Sequence, residues 1–110
     1  MTNALAAVLH AARRAEDRDE RMMLYGQFVG AWSGTLRHLR DGEWSTFSCD
    51  VDFGWVLDGR AVQDVWVART PGGREVMHGT TLRVLDPARG VWHVVWVDTV
   101  SSAVDVMIGA

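Results

Sequence analysis

From residue 29 onward the chain alternates apolar and polar side chains with a period of two, and turn signals cut the alternation at short intervals. Asp41-Gly42 is the strongest hairpin pair, because both residues tolerate the positive φ that tight hairpin turns require. Asp58-Gly59, Thr70-Pro71-Gly72-Gly73 and Asp86-Pro87-Ala88-Arg89-Gly90 mark three more turns. The runs between them predict strands over residues 29–40, 43–57, 60–69, 74–85, 91–99 and 102–108, with a bend or bulge at Gly54. No helix-length segment separates successive strands, so parallel crossovers are excluded. The expected fold is therefore mainly β, an antiparallel meander.

Residues 1–28 read differently and form an N-terminal helical segment ahead of the β region at 29–110, the two making a single domain. Ala, Leu, Met, Arg and Glu dominate here, which favours helix. Thr2 or Asn3 can cap its start, and Leu5, Val8, Leu9 and Ala12 share one helical face. The run from Arg13 to Arg21 is nearly all charged and reads as a solvated helical face laced with ion pairs.

Composition removes several function classes. The net charge is −3, so the basic footprint of a nucleic-acid binder is missing. All eleven basic residues are Arg, which excludes Schiff-base lysine chemistry and a phosphate-loop lysine. Cys49 is the single cysteine, so there is no internal disulfide and no cysteine-rich zinc site. The four His are scattered without ligand spacing, and neither a metal nor another cofactor is expected. No run approaches the ~20 apolar residues of a membrane span and no signal-peptide pattern is visible, so the expected setting is the cytoplasm. The one excess is six Trp.

Phe28-Val29-Gly30-Ala31-Trp32 carries a Gly-x-Trp at the entrance to the first strand. Phe53-Gly54-Trp55-Val56-Leu57-Asp58-Gly59-Arg60 follows at a hairpin, then Gly79-Thr80-Thr81-Leu82-Arg83-Val84-Leu85-Asp86-Pro87, and finally Trp92 and Trp96. From Phe28 to the terminus this resembles bacterial lipocalin-like proteins of the calycin superfamily. The resemblance implies an antiparallel barrel with a central cavity, with Trp32 plugging one end, and it implies no particular activity. Ligand-holding barrels close with about eight strands, whereas here the resemblance stops after the sixth, so an incomplete barrel is expected. A cone-shaped helix-plus-sheet fold like that of small polyketide cyclases is the alternative, though it would need more helix than the N-terminal segment supplies.

Alternation nominates the cavity. Asp64 and Trp66 on the third strand, His78 and Thr80 on the fourth, and Trp96 and Asp98 on the fifth are placed together, with His38 and Trp55 entering from the first two. Indole walls with a few polar groups suit a small hydrophobic or aromatic ligand. The alternative is a cofactor-independent lyase, isomerase or cyclase in which His78 works with Asp64 or Asp98, since burial and a neighbouring carboxylate can bring both groups near neutrality. No Gly-x-Ser-x-Gly elbow supports a serine nucleophile. The first and sixth strands of an unclosed barrel are free edges, so a homo-oligomer is expected with Val104, Val106 and Ile108 at the contact.

Overall fold

The computed structural model describes residues 4–109. Its elements in chain order are α1 (Ala4–Leu9), β1 (His10–Ala11), a 3-10 turn (Glu20–Met22), α2 (Met23–Gly26), β2 (Gly30–Arg40), β3 (Glu43–Val56), β4 (Ala61–Arg69), β5 (Glu75–Asp86), β6 (Val91–Asp98) and β7 (Ala103–Gly109). One antiparallel sheet runs β1-β3-β4-β5-β6-β7, with β2 also against β3. β1 and β2 share one side of β3: β2 covers Glu43 to Phe53 and β1 continues at Trp55 and Val56. The sheet curls into a half-barrel. Its radius of gyration is 15.6 Å, against about 13 Å for a compact chain of this length. That excess is what an open curved sheet produces.

The six long strands fall within one residue of the periodicity limits, because the turns dictate them. Asp41 and Gly42 both have positive φ (52° and 78°), the type I′ combination whose twist matches the flanking strands. Leu57, Asp58 and Gly59 all turn with positive φ at the next hairpin. The β3–β4 ladder passes Gly54 opposite Gln63 without a register shift, so the bulge expected there is absent. Among the described residues the one register shift lies between Ala68 and Arg69 against β5.

The N-terminal helix is shorter than its composition predicts. α1 ends at Leu9 and buries none of its residues. The chain then leaves the helix to extend the sheet: His10 and Ala11 pair with Val56 and Trp55, and the Leu57 amide donates to the Leu9 carbonyl at 2.9 Å. Gly59, lacking a side chain, lets the backbone of residues 13–15 lie directly against it, and the Ala15 amide donates to its carbonyl at 3.0 Å. The charged run is thus an exposed loop laid on the β3–β4 turn. Its ion pairs link Asp17 to Arg18 and Arg60, and Asp19 to Arg21. They are solvated pairs of small energetic worth. Asp19 caps the 3-10 turn, and Met22 is driven fully inside.

Met22 packs with Trp55, Val62, Leu85 and Trp92 in the core cluster, joined by Tyr25 and Phe53. This plugs one end of the curve. A second cluster of Cys49, Val51 and Ala68 lies further along the same inner face. No helix among the described residues is long and apolar enough to cross a membrane.

Candidate functional site

Register assigns the inner face. Phe53, Asp64, Thr81, Trp96 and Asp105 form one row across β3 to β7, and Trp55, Val62, Arg83, Val94 and Met107 form the next. Side chains directly opposite one another in adjacent strands point to the same side of the sheet. Beyond the Met22 plug these rows border an open concavity of about 510 Å³. Trp66, Met77, Val94, Trp96 and Met107 supply its apolar lining. Its polar groups come from Tyr25, Thr81 and Arg83.

Asp64 is fully buried beside this space and both its oxygens are used. Oδ1 accepts from the Thr81 amide at 3.0 Å and Oδ2 from Arg83 Nη1. A carboxylate can be held without water only with such partners, and a guanidinium fixed by it becomes a rigid fixture. The Arg83 guanidinium carbon also lies 4.8 Å from the Tyr25 ring centroid and 5.5 Å from that of Phe53. Both rings favour a cation above their faces. Tyr25 in turn stands edge-on to Trp92, ring centroids 4.9 Å apart. The plug and the site are therefore built as one unit.

The structure brings Asp64, Trp66 and Trp96 to the inner face as alternation suggests, and it sends His78 and Thr80 to the outer one. Continuing the Arg69–Glu75 pairing would set Trp66 opposite His78 and Asp64 opposite Thr80. The one-residue shift at Ala68/Arg69 sets them instead opposite Gly79 and Thr81. A slip of one residue exchanges the faces of a strand. The shift also lets Val76 and Met77 both pack against the Cys49–Val51–Ala68 cluster. The His78 ring is half-exposed, with Nδ1 3.2 Å from Glu75 Oε2. It shares no cavity with Asp64, so the expected His78–Asp64 pair is not assembled. Thr80 accepts from Gln63 Nε2 and donates to the Asp64 carbonyl, a bracing role on the outer face.

The remaining candidates hold other positions. Asp98 lies on the inner face but is consumed by the β6–β7 turn: Oδ1 accepts the amides of His78 and Val100, and Oδ2 accepts the Ser101 hydroxyl. Burial pushes its carboxyl up, yet these hydrogen bonds outweigh burial and hold it below the ordinary value. Trp55 is core, and its accessible side borders a separate hollow of about 270 Å³ against Leu9 and His10. His38 is exposed near the far end of β2 and does not line the concavity. Trp32 is 53% exposed, so it does not plug a barrel end; its indole Nε1 donates to the Phe28 carbonyl at 2.7 Å.

Alternation alone misses Tyr25, Met77, Thr81 and Arg83. Met77, Thr81 and Arg83 share parity along β5, and only the bulge reveals that this parity faces inward. Among the described residues no group of three or more His, Cys, Asp or Glu is placed to hold a metal ion. Cys49 is buried, and desolvation together with the Asp50 charge pushes its thiol up, away from the thiolate form. Comparison of the chain with protein-family models, with curated proteins and with solved structures yields no match.

Proposed function

We propose that this chain is a lipocalin-like binding protein that holds a small apolar or aromatic molecule in the concavity between Trp66 and Trp96. One observation carries the reading: a hollow of about 510 Å³ with a mostly apolar lining and three polar side chains. Small-molecule sites typically enclose about 300–1,000 Å³ and have this makeup. The curled antiparallel meander, with Gly30-x-Trp32 at the head of its first long strand, supports the lipocalin-like reading. A fluorescence titration with a panel of hydrophobic ligands tests it, because a bound molecule must contact two of the six indoles. Quenching or a blue shift that saturates is the expected result; an emission spectrum unmoved by every ligand would remove the basis for the proposal.

A second reading concerns assembly. Among the described residues β7 pairs only with β6, and its outer face presents Val104, Val106 and Ile108, with Val106 77% exposed. The strand carries neither Arg nor Pro, and its one charge, Asp105, lies on the inner face opposite Trp96. Lightly guarded apolar edges recruit another strand, and the second copy of the chain is the partner we propose.

A further inference from the structure

Resting on the reading that the concavity binds a small molecule, we infer that its ligand is an uncharged aromatic compound with a hydrogen-bond acceptor, such as an aryl ketone, quinone or ester. The polar groups facing the space are almost all donors. Arg83 spends Nη1 on Asp64, while its Nε and Nη2 have no acceptor among the described residues. The indole N–H groups of Trp66 and Trp96 are likewise without protein acceptors among the described residues. Tyr25 and Thr81 add hydroxyls that are not engaged with the described residues. Of the carboxylates on the inner face, Asp64 has both oxygens occupied, and Asp105, exposed on the edge strand opposite Trp96, is not among the residues that line the space. Guanidinium and indole N–H groups donate and do not accept, so the complementary ligand must bring the acceptor.

Charge decides what kind of acceptor. Among the described residues Arg83 is the only charged side chain lining the concavity, and Asp64 already neutralises it. A carboxylate ligand would leave water without an uncompensated cation to receive it, and an ammonium would find only the neutral Tyr25 and Thr81 hydroxyls as acceptors and no unpaired carboxylate in the lining. A carbonyl loses far less than an ion on leaving water and gains a charge-assisted hydrogen bond from the spare guanidinium N–H. The two indoles then cover its aromatic body.

Four compounds of one shape test this: 2-acetylnaphthalene, 2-ethylnaphthalene, 2-naphthoate and 2-naphthylmethylamine, titrated at neutral pH by calorimetry. The ketone is expected to bind about tenfold tighter than the ethyl compound, the low end of the worth of one hydrogen bond to a charged group. It should exceed the acid and the amine by about tenfold or more. Replacing the buried pair together, Asp64→Leu with Arg83→Met, should cut the ketone's advantage over the ethyl compound to about twofold or less while the ethyl compound still binds; pairs of this kind often tolerate apolar replacement. Should that variant fail to fold, the ranking on the unaltered chain decides alone. Tightest binding by the acid or the amine, or equal binding of ketone and ethyl compound, would overturn the inference while leaving the binding reading intact. If none of the four binds, the reading of the concavity falls and the inference falls with it.

Discussion

The Trp96 indole lies over Gly79 so closely that a β-carbon at position 79 would stand 2.6 Å from its Cη2 and 2.5 Å from the Val97 carbonyl oxygen. Gly79 stands opposite Trp66 in the β4–β5 ladder, so its missing side chain makes room for an indole on the concave face. Gly79→Ala must therefore push Trp96 and the β6 backbone aside. We expect a loss of about 1–3 kcal/mol in urea unfolding, the usual cost of overpacking, with a changed Trp emission in the folded state. Unfolding at the unaltered midpoint would mean that Trp96 is not held where the structure places it.

Asp64 and Arg83 should behave as a unit. Asp64→Ala strands a mostly buried guanidinium and is expected to cost about 3–5 kcal/mol. The paired change Asp64→Leu with Arg83→Met should cost clearly less than the sum of its single changes. Additive losses in the double-mutant cycle would contradict the coupling.

The β6–β7 turn should be sensitive to acid. Burial raises the Asp98 carboxyl, but the Ser101 hydroxyl and the His78 and Val100 amides bring it below the ordinary value of 3.8. A carboxyl depressed on folding stabilises the fold fully above its unfolded value, and that contribution is lost as pH falls through its folded value. Urea midpoints should thus be flat from pH 7 to about 5 and drop below about 4. In Asp98→Asn, which cannot titrate, the acid-side drop should be smaller; an unchanged acid profile would place the sensitivity elsewhere.

Pairing through β7 predicts a concentration-dependent dimer. Light scattering at tens of micromolar should report twice the chain mass, and Val106→Asp, which sets a charge at the centre of the exposed edge, should return it to the monomer. A stable monomer of the unaltered chain at that concentration would contradict the assembly reading.

The fold was legible in the sequence to the extent that turns control it. Asp41-Gly42 and Asp58-Gly59 carry the positive-φ positions of their hairpins, and the long strands followed within a residue. The N-terminal segment was less legible. Helix propensity is a weak prior, and pairing of His10 and Ala11 with the end of β3, with residues 13–15 laid on Gly59, overrode it. The site was half legible: Asp64, Trp66 and Trp96 came from alternation. Alternation puts His78 on the Asp64 side because both faces of β5 mix apolar with polar residues, and nothing local to Ala68 and Arg69 announces the shift that turns Thr81 and Arg83 inward. Tyr25 reaches the site only through the burial of Met22, a tertiary fact with no local signature.

The central claim is that the Trp66–Trp96 concavity is where a ligand sits. The six Trp give six indole N–H signals in a ¹H–¹⁵N spectrum, assignable by single Trp→Phe replacements. Titration with 2-acetylnaphthalene should shift the signals of Trp66 and Trp96 along one saturating curve. That of Trp44, exposed on the opposite face against Arg37, should stay in place. Saturating shifts at Trp44 or Trp32 with Trp66 and Trp96 unmoved would contradict the account.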